Sequence, residues 1–377
     1  MIQSPGLLMT IIAFLLVLGP LVFVHELGHY LVARWLGVRS EVFSIGFGRE
    51  IAGFTDRRGT RWKFGWMPLG GYVQFAGDMN PASQPGDVPL DATPQERAGM
   101  LQTQPVWKRA AIVFAGPAIN FLFAFVVLAG FAMAYGQSVT PPVIGAVMPN
   151  SVAAKAGLQT GDRITALDGE PVERFEELAQ AVLLHANTPV TVDFERAGQA
   201  RQVRLVLQEF TEKDQFGNVQ TRGGMGIRSA GVEVKPVSLI EAPGVALRQI
   251  RGILNLMVEG LRQIVVGQRT VKDLGGPLKI AKHSGEQLAL GWEPLVMMMA
   301  FVSINLGFIN LLPLPMLDGG HLMFYAIEAV RRKPADQKVQ EWAFRFGLAM
   351  VAMLFVVVTF NDLDSFGVWK RLAGLIG

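Results

Sequence analysis

Four stretches of this chain are apolar over a length that spans a bilayer: Leu7–Val24, Ile112–Ala134, Pro294–Leu312 and Phe344–Phe360. Lipid offers a backbone no hydrogen-bond partners, so each must fold as a helix that satisfies its own N–H and C=O groups. Composition agrees. Half of the residues (50%) are hydrophobic and only 17% are charged, with a mean hydropathy of +0.33, which is the balance of a membrane protein with a soluble part. A secretory signal peptide would open on a basic residue and close on a small-residue cleavage site. The first stretch has no basic residue before Arg34 and reads as a retained span.

That stretch runs straight into Val24-His25-Glu26-Leu27-Gly28-His29. On a helix, His25 and His29 lie on one face, one turn apart. Two neutral imidazoles so placed can hold one zinc ion. In this H-E-x-x-H arrangement Glu26 is not a ligand; it takes the proton of the attacking water and passes it to the leaving amine. Ionisable groups at membrane depth are expensive and mark function. From Leu7 to His25 the helix rises roughly 27 Å, against a hydrocarbon core about 30 Å thick. The histidines therefore lie near the far end of the span, within reach of water.

Basic residues set the orientation. Arg34 and Arg39 follow the first span, Lys108 and Arg109 precede the second, and Arg331, Arg332, Lys333 and Lys338 lie between the third and fourth. The positive-inside rule then places residues 39–106 in the cytoplasm and both termini outside. Within that loop, Ile45-Gly46-Phe47-Gly48 permits close backbone approach. Arg61 to Phe75, with Pro68-Leu69-Gly70-Gly71 as its turn, reads as a β-hairpin dipping toward the active site. Residues 79–105 read as a mobile loop. The second span opens on Ala115-Gly116-Pro117-Ala118-Ile119-Asn120, where small residues allow tight helix packing. Asn120 is either a plain interhelical hydrogen bond or support for the metal site.

Residues 140–232 change character, with alternating strands (Val190, Val192, Phe194; Val203, Leu205, Leu207) and a helical spacing of Phe175, Leu178 and Val182. A compact α+β module fits. Its run Asn150 to Leu158, before Gly161-Asp162-Arg163-Ile164, resembles a PDZ domain of the bacterial protease type, a module that adds an extended peptide to a sheet edge. His185 reads as a surface helix residue. Residues 238–290 suggest an amphipathic helix at the membrane surface, with His283 a bystander.

The third span ends in Asn310-Leu311-Leu312-Pro313-Leu314-Pro315-Met316-Leu317-Asp318-Gly319-Gly320-His321. Its prolines free backbone groups at membrane depth, tolerated only where backbone lines a cavity or is buried in protein. Asp318 falls at about the depth of His25 and is the natural third ligand; His321 is the rival. Two histidines, a carboxylate and an open position suit catalytic zinc. The same set can hold non-haem iron, but a glutamate placed as base favours hydrolysis.

Taken together, His25-Glu26-Leu27-Gly28-His29, the PDZ-like insert and Asn310…Pro313-Leu314-Pro315…Leu317-Asp318-Gly319-Gly320 resemble the site-2 protease family of intramembrane zinc metalloproteases, in particular the bacterial envelope-stress branch that cuts anti-sigma factors. The resemblance implies a Zn2+ cofactor, an active site near the cytoplasmic face of the inner membrane, and single-span substrates, anti-sigma factors or signal-peptide remnants, trimmed first by a site-1 protease. It also places Asn305 and Asn310, and the sheet elements carrying Gly46, Gly48 and Val73, near the substrate. The best-known enterobacterial members carry two PDZ domains; this chain has room for one.

The expected fold is thus a polytopic α-helical membrane protein of four transmembrane helices, with a cytoplasmic-side membrane-associated β-hairpin and one α+β PDZ-like domain outside. Its expected parts are a first helix with the metal motif (1–38), the loop (39–106), a second helix (107–136), the PDZ-like domain (140–232), the membrane-surface segment (238–290), a third helix with the ligand segment (291–330) and a fourth helix (342–362). A net charge of +3 argues against nucleic acid, and the absence of cysteine excludes disulfides, thiolate metal sites and thiol nucleophiles. Two other classes fit less well. A non-catalytic PDZ scaffold with structural zinc has no use for Glu26. A metal-dependent transporter needs polar residues at mid-membrane in several spans, and here they gather at one end.

Overall fold

The computed structural model describes residues 6–78, 93–183, 187–213, 219–267 and 275–365. Helix α1 (Leu7–Trp35) carries the metal motif in its last third and runs unbroken through Pro20. It is followed by two long strands, β1 (Ser40–Thr55) and β2 (Arg61–Phe75), then by α2 (Pro94–Gly99) and α3 (Val106–Tyr135).

The loop differs from the expected hairpin within 61–75. The reversal lies at residues 56–60, and Val42–Ile45 is paired on both flanks, with Val73 side on one edge and Trp62 side on the other. Both strands bend back on themselves, so the order across the sheet is 71–75, 40–45, 61–64, 52–55. The stretch around Pro68–Gly71 does reverse the chain, but the two halves of β2 never pair with each other because β1 is inserted between them. Gly46, Gly48 and Gly70 have φ values of 85°, 85° and 81°, the left-handed region that glycine enters freely, and they serve these bends. Phe43 fills the inner face, stacked on Trp62 at 4.2 Å and edge-on to Tyr30 of α1 at 5.7 Å.

Part of the expected mobile loop is ordered. Thr93-Pro94-Gln95-Glu96 forms a capping box at the start of α2, with Thr93 Oγ1 accepting from the Glu96 N–H and the Glu96 carboxylate accepting from the Thr93 N–H. Residues 79–92 and His185 lie outside the described residues.

The chain divides into two compact units, residues 131–242 and the remainder. The smaller contains β3 (Gln137–Val139), β4 (Ile144–Val147), α4 (Val152–Lys155), β5 (Arg163–Leu167), β6 (Glu170–Pro171), α5 (Phe175–Leu183), β7 (Pro189–Arg196), β8 (Gln199–Val206), β9 (Gln208–Lys213), β10 (Val219–Gly224), β11 (Ile227–Ser229) and β12 (Glu233–Lys235). An antiparallel sheet of order β6-β5-β7-β8 and three two-stranded pairs surround Ile144, Ile164, Leu178, Val192 and Leu207. Phe175, Leu178 and Val182 share the core face of α5, and Asp162 is held in a two-point ion pair by Arg196, both contacts at 2.7 Å.

In the larger unit, residues 238–290 form two helices rather than one, α6 (Ala242–Val265) and α7 (Pro277–Leu290). Ala246 and Ile250 of α6 enter a core with Ala124 and Leu128 of α3. On α7, His283 is exposed and pairs with Glu286. The unit closes with α8 (Trp292–Asn310), α9 (Asp318–Arg331) and α10 (Gln337–Ser365). Among the described residues α1, α3, α8 and α10 are the helices long and apolar enough to cross a membrane.

Candidate metal centre

The site begins with the crossing of α1 and α3. A Cβ on Gly28 would lie 2.5 Å from the Ala115 carbonyl oxygen, and one on Gly116 would lie 2.2 Å from His29 Nε2. No side chain fits at either position, so the two glycines let the helices meet backbone to backbone. That contact brings the Ile112 carbonyl within 2.9 Å of His29 Nδ1. A carbonyl can only accept, so Nδ1 carries the proton, and in the neutral ring Nε2 is left with a bare lone pair. His25 is handled in the same way. Its Nδ1 lies 3.0 Å from the side-chain amide of the fully buried Asn120, whose Oδ1 has no other partner. Assigning the amide so that Oδ1 accepts from a protonated Nδ1 leaves His25 Nε2 bare as well. Asn120 thus acts on His25 rather than merely joining helices, and Ser303 of α8 holds the Asn120 carbonyl at 2.9 Å.

The third group arrives on α9. Gly319 and Gly320 pack against the Leu312 and Leu314 carbonyl oxygens at distances no side chain could share (2.2 and 2.4 Å from an added Cβ). The Pro-rich turn therefore wraps tightly over the helix start and fixes Asp318 as its first residue. Met316, just before it, has φ 85°, a strained conformation for a side chain of its size. Arg109 of α3 pairs with Glu328 at 2.5 Å and lies over the Tyr325 ring at 4.9 Å, anchoring α9 beside the site.

The three candidate ligand atoms converge. His25 Nε2 and His29 Nε2 are 3.3 Å apart, and Asp318 Oδ2 is 3.3 and 3.5 Å from them. Two imidazole lone pairs and a carboxylate oxygen facing one another in this way suit a cation. With zinc–ligand bonds of roughly 2.0–2.1 Å, the edge of a tetrahedron is about 3.3–3.4 Å, which matches this triangle. The residues fit zinc.

Around them is a cavity of about 240 Å³ lined by Glu26, Asn310, Gly71, Tyr72, Val73, Met316, His321 and Tyr325 among others. Asn310 Nδ2 lies 3.4 Å from His25 Nε2. The Val73 backbone N–H is directed at the Glu26 carboxylate in the cavity, while the Phe75 N–H is taken by Asp78 Oδ2 at 3.0 Å. Not every expected residue gathers here. Asn305 turns back to its own helix, donating to the Phe301 carbonyl at 2.9 Å, and lies outside the lining; so do Gly46 and Gly48, whose glycine identity answers to the bends of β1. His321 lines the cavity against the Phe344 ring, 4.9 Å between centroids, and stands apart from the three converging groups. Tyr72 and Tyr325 were not singled out from the sequence, where nothing distinguishes an aromatic that lines a site from one that packs in a core.

Residues 13–354 match peptidase family M50. A protein of Agrobacterium fabrum named as a zinc metalloprotease is 43% identical over 94% of this chain and 96% of its own length. One from Rhizobium meliloti, named likewise, is 42% identical over 94% and 96%. Metalloprotease MmpA of Caulobacter vibrioides is 34% identical over 98% and 99%. Among solved structures, the PDZ domain of an SdrC-like protein from Listeria monocytogenes is similar to part of the chain, at 21% identity over 24% of this chain and 87% of that one, with a TM-score of 0.20.

Proposed function

Because the chain belongs to peptidase family M50 and is an intramembrane zinc metalloprotease, we propose that His25, His29 and Asp318 hold its zinc and that Glu26 is the general base. The observation that carries this reading is the triangle of two bare imidazole nitrogens and one carboxylate oxygen, with Glu26 in the same cavity. Zinc bound there supplies a Lewis acid that acidifies water and polarises a carbonyl. Ile112 and Asn120 keep the two imidazoles in the ligating tautomer. Glu26 accepts the proton of the attacking water and delivers it to the departing amine.

Substrates on this reading are single-span membrane proteins, cut after a site-1 protease has trimmed their outer portion, with anti-sigma factors the leading class and signal-peptide remnants another. A helical segment must unwind before water reaches its backbone, and each freed polar group then needs a partner in a low-dielectric site. The 71–75 edge of β2 and the Asn310 amide supply them, so the unwound segment docks as an added strand. The α+β module takes extended peptide in the apolar groove between α5 and residues 223–227, lined by Phe175, Leu178 and Val182. Orientation follows the basic residues: active site near the cytoplasmic face of the inner membrane, with the α+β module and both termini outside.

The test is cleavage of co-expressed single-span substrates. Glu26→Gln should retain about one zinc per chain and lose activity by ~10²–10⁴. Asp318→Ala should lose zinc and activity together, whereas His321→Ala keeps its zinc. Zinc loss in Glu26→Gln, or zinc retention in Asp318→Ala, would reassign the roles.

A further inference from the structure

A second cavity, of about 180 Å³, opens where the C-terminal end of α1 meets the sheet, bordered by Tyr30, Arg34, Arg39, Ser40, Arg58 and Thr60. Nothing in the proteolytic reading uses it. Among the described residues, one of its three guanidinium groups, that of Arg34, has a hydrogen-bond partner, the Tyr30 hydroxyl at 2.8 Å. Arg39 and Arg58 make no side-chain hydrogen bond or ion pair among the described residues. Ser40 contributes a buried hydroxyl that also lacks a partner.

Among the described residues, two acids near the pocket, Asp56 and Glu96, hydrogen-bond elsewhere. Asp56 accepts from the Arg58 and Thr60 N–H groups at 2.8 and 3.0 Å, from Tyr30 Oη at 3.1 Å and from Trp62 Nε1 at 3.3 Å. It shapes the turn that presents Arg58 and makes no ion pair with its guanidinium, so three arginines face two carboxylates, Asp56 and Glu96. Glu96 feels the charge of Arg39 but is tied to Thr93. The result is a pocket with an excess of fixed positive charge and an unused hydroxyl, and the planar guanidinium fork suits phosphate oxygens.

Its depth in the membrane is marked by tryptophan. Trp35 and Trp107 are 83% and 62% exposed, and Lys108 Nζ reaches the Leu36 carbonyl at 3.4 Å, so the end of α1 lies beside the start of α3. Exposed tryptophans at helix ends sit at the headgroup layer. Here three arginines border one concave site.

We propose that this cavity binds a phosphate group, of the kind carried by an anionic phospholipid headgroup or a soluble phosphate compound, through Arg34, Arg39 and Arg58 with the Ser40 hydroxyl as a further donor. In the lipid case the acyl chains lie along the apolar outer face of α1 near Leu31.

The experiment uses the purified full chain in detergent. Retention of phosphatidylglycerol and phosphatidylcholine is measured by native mass spectrometry, and the thermal shift with inorganic phosphate in parallel. Wild type should retain phosphatidylglycerol about tenfold better than phosphatidylcholine. The double variant Arg39→Gln/Arg58→Gln should lose that preference while keeping its zinc and its lipid-free melting temperature; Arg58→Gln alone, in an exposed turn, gives a smaller loss if the pair is poorly folded. Arg331→Gln/Arg332→Gln, the same charge change between α9 and α10, should keep the preference. Stabilisation by inorganic phosphate without a lipid preference, removed by the Arg39/Arg58 pair, would assign the site to soluble phosphate compounds. If wild type shows neither response, or both double variants lose the lipid preference equally, no phosphate site exists here.

Discussion

At Gly116 the ring of His29 leaves no room for a methyl group. Gly116→Ala must displace either the imidazole or α3, and Nε2 then leaves the triangle it forms with His25 and Asp318. Zinc affinity should fall ~10–100-fold, the scale seen when the supporting shell of a metal site is disturbed. Gly130→Ala on the same helix meets nothing within 4 Å, so it should leave zinc unchanged and stabilise the helix slightly, by up to ~1 kcal/mol. Zinc content after dialysis against a weak chelator separates the two. Equal retention in both variants would mean that the close approach at Gly116 does not govern the ligand.

At the scale of elements, the bent sheet turns one edge of β2 to the catalytic cavity. Proline at Val73 removes the N–H directed at Glu26 without touching a zinc ligand. Val73→Pro should slow cleavage at least about tenfold, through the hydrogen bond lost to Glu26 or to a substrate strand that replaces it, with zinc content unchanged; unchanged cleavage would remove the added-strand model. The α+β module offers a pH test. Burial opposes ionisation of Asp162, but hydrogen bonds from Arg196 and the Gln159 N–H outweigh it and hold the carboxyl below its ordinary value. A depressed carboxyl stabilises the fold at pH above its unfolded value, about 4, and that stabilisation is lost as pH falls below it. Hydrogen exchange of residues 140–232 in the full chain should therefore accelerate on going from pH 6 to below 4, after correction for intrinsic rates. Asp162→Asn should be less stable at pH 6, and its remaining acid sensitivity should be smaller.

For the molecule as a whole, four apolar helices and the distribution of arginine and lysine decide how it sits in a bilayer. The chain has no cysteine of its own, so single introduced cysteines report cleanly. One at Ala335, between α9 and α10, should be shielded from an impermeant thiol reagent in intact cells, and one at Thr188 should react. The reverse pattern would invert the proposed orientation and place the metal centre near the outer face.

The sequence by itself determined the membrane helices, because backbone in lipid has no alternative to helix, and it marked His25, Glu26, His29 and Asp318, because ionisable groups are rare where burial is this costly. It also holds the capping box at Thr93–Glu96, a local signal of a helix start. Tertiary structure decided everything that depends on which surfaces meet. The order of the four sheet segments follows from pairing between residues far apart in the chain, which alternation along one strand does not encode. The exclusion of Asn305 from the cavity depends on the rotation of α8 about its axis, and the ligating tautomers of His25 and His29 depend on Asn120 and Ile112 arriving from another helix. The arginines bordering the second cavity are unremarkable in sequence, since a juxtamembrane basic residue is expected in any such chain. Only the fold of β1 onto the end of α1 brings them to a single site.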